Sequence, residues 1–224
     1  MYGFLVRADD VLRRRPWTTG AAGTWPALRS LTAEIVVFGM LYGAVMGVFG
    51  GILGGRMWHV LYAALKVPLL LLATFLIGLP SFFVLNTLVG LRRDFAKAVR
   101  ALMATQAGLA IVLASLAPLT ALWYASSADY SAATMFNALV FAVASFAAQG
   151  LLRGYYGPLV ARNRKHRWML WTWLVLYAFV GIQMAWVLRP FIGDPGMPVQ
   201  FLRQERWENA YERVFRLFWS LVTG

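Results

Sequence analysis

Apolar residues occur in five long runs, and each run is close to the length that crosses a bilayer as a helix. The runs cover about residues 33–53, 67–88, 101–123, 131–152 and 168–188. Short connectors with charged or turn-forming residues separate them. This pattern predicts an all-α fold, a polytopic transmembrane helical bundle with about five spans.

Polar and turn-forming residues distinguish both ends of the chain from the predicted bundle. Residues 1–30 form a basic amphipathic segment, 31–188 the predicted bundle, and 189–224 a tail that opens with prolines and glycines. Within the tail, apolar residues recur at helical spacing, namely Trp207, Tyr211, Val214, Phe218 and Leu221. They predict an amphipathic helix on the membrane surface, or alternatively one that docks in a groove of a partner protein.

Five glycines recur at four-residue intervals in and just after the first run, namely Gly39, Gly43, Gly47, Gly51 and Gly55. In lipid, no hydrophobic effect drives helices together, so helices associate where small residues let their backbones approach. The spacing therefore predicts a glycine-zipper helix with one bare stripe that packs closely against another helix.

Composition fits a membrane protein. Of the 224 residues, 60% are hydrophobic and 13% are charged, which excludes an ordinary water-soluble domain. The formal charge of +12 comes from 21 basic and 9 acidic residues. Because the basic residues cluster at the ends of apolar runs, they indicate membrane anchoring and lipid contact, with no nucleic-acid partner. The chain has no cysteine, which excludes disulfides and thiolate metal sites.

The connectors differ in charge. Basic residues lie in the N-terminal segment and around the second and fourth connectors, whereas residues 124–130 contain no Lys or Arg. The positive-inside rule then places the N-terminus in the cytoplasm and the C-terminus outside. The fourth connector carries Arg162, Arg164, Lys165 and Arg167, which either set this topology or bind a phospholipid headgroup.

Ionisable residues are scarce inside the runs. Glu34 stands at the entrance of the first, and Lys66 at the edge of the second, where its stem can carry the ammonium to the interface. The polar residues within the runs are neutral and are expected to form hydrogen bonds between helices: Asn86, Gln106, Asn137, Gln149 and Gln183.

Catalytic signatures are missing from the sequence. His59 and His166 are predicted on opposite faces of the membrane, too far apart to share a metal or a haem. No metalloprotease, serine hydrolase or P-loop motif is present. We therefore expect a non-enzyme with no catalytic, cofactor-binding or metal-binding residues.

The layout resembles that of the Yip-type five-span integral membrane proteins. The features that carry this resemblance are Arg15-Pro16-Trp17 after a basic amphipathic segment, a glycine-rich first span, and residues 90–95 leading into a third span that contains Pro118. The similarity covers about 150 residues, and the tail from Arg189 onward departs from it. It implies a membrane adaptor that assembles with other proteins.

Two functions follow from these patterns. The first is a non-catalytic scaffold or accessory subunit in a bacterial-type inner membrane, assembled through the glycine stripe. The alternative is a homo-oligomeric channel in which the same glycines pack identical helices around a pore. The expected partners are membrane lipids and either other membrane-protein subunits or copies of the chain itself.

Overall fold

The computed structural model describes residues 2–19, 23–51, 56–194 and 196–202. Across these residues the structure is helical and contains no strand, which confirms the all-α fold. The helices are α1 (Tyr2–Leu12), α2 (Pro16–Thr19), α3 (Thr24–Gly47), α4 (Met57–Leu88), α5 (Phe95–Ser115), α6 (Ala117–Ser126), α7 (Tyr130–Arg162) and α8 (Lys165–Leu188). Five segments are long and apolar enough to cross a membrane: α3, α4, α5 together with α6, α7 and α8. The chain is thus an integral membrane protein.

The bundle has two ends, which we name after a residue at each. The Asp94 end holds α1, α2 and the connectors after α4 and α7, where Lys165 Nζ donates to the Val89 carbonyl at 3.3 Å. The His59 end holds the connectors after α3 and α6 and the turn after α8. The three basic clusters of the sequence therefore share the Asp94 end. Which end faces the cytoplasm stays a prediction.

Helix α5 forms the centre of the bundle. In the most apolar window of the third span, 72% of the residues are buried, against 28% in α7 and 6% in α8. Small residues on α5 let its neighbours approach, namely Ala98, Ala104, Ala107 and Ala110. Helices α3 and α7 pack on this surface, while α4 packs on α3 and α8 packs on α4.

The helices extend beyond the predicted runs. Helix α3 begins at Thr24, not at residue 33, and α4 begins at Met57, not at residue 67. Helix α7 continues past residue 152 to Arg162. Its last turns pack against the N-terminal segment, where the Tyr155 hydroxyl donates to the Val11 carbonyl. Contact with the N-terminal segment thus accompanies the extension of α7 into a stretch that its predicted run leaves out.

The third span is broken near its end, at Pro118. Helix α5 ends at Ser115, and α6 begins at Ala117 with Pro118 in its first turn. Proline has no amide hydrogen, and its ring clashes with the carbonyl four residues earlier, so a continuous helix is disfavoured here.

Candidate functional sites in the membrane bundle

Three of the five glycines bring α3 into backbone contact with α4. A Cβ atom added at Gly47 would lie 2.6 Å from the Cα of Val60, and one added at Gly43 would lie 2.9 Å from the Cα of Ala64. An added Cβ at Gly39 meets the α4 backbone in the same way. We call Gly39, Gly43 and Gly47 the glycine surface. Its partner is a helix of the same chain.

The predicted stripe ends at Gly47. Helix α3 stops there, and Gly51 adopts φ = +94° with no atom within 4 Å of an added Cβ. A positive φ is open to glycine and strained for other residues, so Gly51 serves the connector and not the helix stripe. Gly55 lies outside the described residues. Four-residue spacing alone could not reveal this change of conformation.

Two hydrogen-bond groups join different helices. The Tyr42 hydroxyl of α3 donates to Asn137 Oδ1 of α7 at 3.0 Å, and Asn137 Nδ2 donates to the Tyr124 hydroxyl of α6 at 2.6 Å. Separately, the Tyr177 hydroxyl of α8 donates to Gln106 Oε1 of α5 at 2.8 Å. Asn137 and Gln106 thus connect helices, as expected of neutral polar residues in a bundle.

The other neutral polar residues behave differently. Asn86 Nδ2 donates to the Phe82 carbonyl of its own helix at 2.9 Å. Gln149 is half-buried and makes no side-chain hydrogen bond within the described part of the chain. Its amide lies instead at a cavity between helices.

Glu34 and Lys66 are fully buried, which corrects their predicted positions at span ends. Because α3 and α4 begin earlier than expected, both residues lie well inside their helices. The ammonium of Lys66 donates to the Pro190 carbonyl, in the turn after α8, at 2.7 Å. The Glu34 carboxylate has no hydrogen-bond partner among the described residues.

The two histidines lie at opposite ends of the bundle, as predicted. His59 packs against Gly193, at the start of α4. His166 opens α8, with Nε2 3.6 Å from Asp94 Oδ2 and Nδ1 3.4 Å from the Tyr156 hydroxyl. No group of three His, Asp or Glu side chains that could hold a metal occurs among the described residues.

The basic residues of the fourth connector are all exposed at the Asp94 end: Arg162, Arg164, Lys165 and Arg167. Arg162 Nη1 lies 3.7 Å from Asp94 Oδ1, and Lys165 reaches the Val89 carbonyl. Such exposed contacts contribute little to stability. They connect the α7–α8 turn with the end of α4, while headgroup binding stays a prediction.

The predicted surface helix lies outside the described residues, with all of its apolar positions, Trp207, Tyr211, Val214, Phe218 and Leu221.

A cleft separates α7 from α8, and sequence reasoning missed it. The two helices touch along little of their length. Between them lies a cavity of about 400 Å³ that also reaches α4 and α5, which we call the central cavity. A second cavity of about 590 Å³, the end cavity, extends from it towards the turn after α8. The signal in the sequence was small residues on the facing sides of the two helices: Ala138, Ser145 and Ala148 of α7, and Ala178, Gly181 and Ala185 of α8.

Comparisons with known proteins found no similar protein. No protein family model, no curated protein and no solved structure matches this chain. The resemblance to Yip-type proteins therefore stays a prediction, and function has to be argued from the geometry of the bundle.

Proposed function

We propose that the protein is a non-catalytic scaffold or accessory subunit of a membrane-protein assembly, in a bacterial inner membrane with its N-terminus in the cytoplasm. The observation that carries the proposal is that the five spans are buried by the rest of the chain to very different extents. Only 6% of the most apolar window of α8 is buried, whereas 72% of that of the third span is buried. A helix bound on one side to a well-packed bundle leaves its other side for a further subunit.

The position of the glycine surface supports this proposal over a channel. A self-assembled pore built on these glycines needs them at the outside of the chain. In the structure, α4 covers them, and the closest approach joins Gly43 to the backbone of Ala63. Assembly with other proteins must therefore use a different surface.

Polar groups inside the bundle support a structural role. Tyr42 and Tyr124 share Asn137, which fixes α3, α6 and α7 relative to one another. Tyr177 and Gln106 do the same for α8 and α5. These bonds hold helices in one arrangement, as expected of a stable scaffold.

The proposed assembly surface is the uncovered side of α8 near the Asp94 end. Trp168, Trp171 and Val175 follow one another along a single helix face and are 76%, 63% and 67% exposed. Tryptophan supplies a large contact area at protein interfaces, and it also anchors helices at the headgroup level. If substitution of these residues releases a partner protein, the face serves as a protein interface and not only as an anchor at the headgroup level.

The experiment is purification from native membranes in a mild detergent through a tag at Gly224, followed by measurement of the mass and protein content of the complex. We expect a foreign subunit at a fixed ratio with the wild type, and its loss with Trp171→Ala/Val175→Ala. The matched control is Leu76→Ala/Ile77→Ala, at exposed positions of α4, which keeps the subunit. A ring of identical chains supports the channel instead, and a chain purified alone contradicts the accessory role.

The orientation is tested separately by labelling single cysteines in a chain that has none of its own. Ser127→Cys lies in the connector at the His59 end, and Asn163→Cys lies in the connector at the Asp94 end. We expect a membrane-impermeant maleimide to label only Ser127→Cys in intact cells. The reverse pattern contradicts the proposed topology.

A further inference from the structure

Polar side chains gather around the central cavity at mid-height of the bundle. Thr74, Gln106, Gln149 and Tyr177 line it, each from near the middle of a different helix. Lipid tails offer these groups no hydrogen-bond partner. A volume of about 400 Å³ lies within the range of small-molecule sites.

The Thr74 hydroxyl is the most informative of these groups. It is 1% exposed, and its Oγ1 has no hydrogen-bond partner in the described structure. Other threonines in the long helices donate to the carbonyl of the residue four positions earlier, namely Thr32, Thr87, Thr105, Thr120, Thr134 and Thr172. Because this local bond is open to a helical threonine, a hydroxyl that does not make it is available to a bound molecule.

The two glutamines add further donors. Gln106 uses its carbonyl oxygen to accept from Tyr177, and its amide nitrogen makes no hydrogen bond with a described residue. The amide of Gln149 likewise makes none. A molecule that satisfies these groups therefore carries an acceptor oxygen.

The charge and shape of the two cavities indicate which class of ligand they can hold. None of the described side chains that line the central cavity is charged, so a charged ligand group would be buried without a counterion there. The central and end cavities share Leu70, Phe141 and Ala185, and together they make an elongated space. This shape suits a long chain attached to a compact polar group.

The cleft opens sideways to lipid and not along the membrane normal. Residues 189–192 border it at the His59 end, and the short connector between α7 and α8 closes it at the Asp94 end. A spanning helix would have to leave at both ends. Lateral entry past the exposed Ser145 suits a lipid.

We propose that the central cavity binds an uncharged long-chain lipid that carries a carbonyl oxygen. The oxygen accepts hydrogen bonds from Thr74 and from one of the two glutamine amides, and the chain extends into the end cavity. The proposal does not depend on the accessory role, because it concerns the interior of the cleft and not the outer face of α8.

Decylubiquinone is the probe, because it is uncharged and has quinone carbonyls on a ten-carbon chain. It is titrated into the purified full chain in detergent, and the midpoint of thermal unfolding is measured. A ligand that binds only the folded state raises this midpoint, and we expect a rise of at least about 3 °C near saturation. Thr74→Val removes the hydroxyl at nearly constant shape and should weaken the affinity about five-fold.

Ser145→Trp fills the mouth of the cleft and should abolish the shift, whereas the matched control Ala147→Trp should keep it. Both positions are exposed, but only Ser145 lines the cavity. Size-exclusion chromatography checks that each variant is folded. If Ser145→Trp does not fold, Thr74→Val still tests the proposal.

Several results would overturn the proposal. One is an equal shift with decylbenzene, which has no oxygen, or a larger one with decyl phosphate, which is charged. Another is a shift that neither Thr74→Val nor Ser145→Trp reduces. If Ser145→Trp instead removes a co-purifying protein or a second copy of the chain, the cleft holds a helix and not a lipid.

Discussion

Small residues line both the α3–α4 interface and the α7–α8 cleft, yet the two regions differ in packing. Between α3 and α4, the glycine surface meets backbone, and a Cβ added at Gly47 would lie 2.6 Å from the Cα of Val60. Between α7 and α8, the small residues Ala178 and Ser145 line a cavity instead. Small residues therefore permit close helix contact without ensuring it.

The difference depends on what each helix is attached to. Helix α3 is held between α4 and α5, so its glycines face a neighbour along most of its length. Helix α8 packs on α4 and meets α7 mainly near their short connector. The first interface stabilises the bundle, and the second leaves room for a ligand.

The largest expected effect comes from filling the glycine surface. Gly43→Leu places a side chain against the backbone of Ala64, which cannot move without displacing α4. We expect the free energy of unfolding to fall by about 3 kcal/mol, the upper part of the usual range for overpacking. Titration with SDS in mixed micelles, followed by circular dichroism, measures it.

The matched control for this substitution is Gly150→Leu in α7, where an added Cβ has no atom within 4 Å. Leucine is the better helix former, so the change should lie within about 1 kcal/mol of zero and on the stabilising side. Equal losses at Gly43 and Gly150 would show that the loss at Gly43 does not come from contact with the α4 backbone.

An intermediate effect is expected at the polar contacts. Asn137→Leu leaves the hydroxyls of Tyr42 and Tyr124 without their shared partner and should cost about 1 to 2 kcal/mol of unfolding free energy. Gln149→Leu should cost less than about 0.5 kcal/mol, because no described residue bonds to that amide. The same SDS titration compares the two, and a larger loss at Gln149 would show that the cleft is closed in solution.

The smallest effect is expected at the turn that joins α7 to α8. Arg162→Ala removes a 3.7 Å contact with Asp94 from a side chain that is 68% exposed. We expect a change below about 0.5 kcal/mol, since exposed ion pairs are weak and screened. A loss above 1 kcal/mol, measured at low and high salt, would mean that this ion pair holds the cleft in shape.

The number of spans and their order could be predicted from the sequence, because a run of about 20 apolar residues has few alternatives to a membrane helix. The roles of Asn137 and Gln106 as links between helices could be predicted for similarly local reasons. Helix ends could not. Helix α4 already starts at Met57, and Lys66 inside it donates to the Pro190 carbonyl, a partner 124 positions away in sequence that no local pattern reveals.

The candidate sites were less predictable than the fold. The spacing of the glycines indicated a packing surface, but not that α4 of the same chain covers it or that Gly51 leaves the helix. The central cavity depends on an angle between two helices, which no local pattern encodes. The unpartnered hydroxyl of Thr74 is visible only once the surrounding helices are in place.

The central claim is that the glycine surface joins two helices of one chain, and a cysteine pair tests it most directly. A Cβ added at Gly39 would lie 3.3 Å from the Cβ of Pro68, close to the separation found in disulfides. The natural chain has no cysteine, so mass spectrometry after mild oxidation of Gly39→Cys/Pro68→Cys reports only this pair. We predict a disulfide within the monomer, with no free thiol left. A dimer linked through residue 39, also seen with Gly39→Cys alone, would contradict the account.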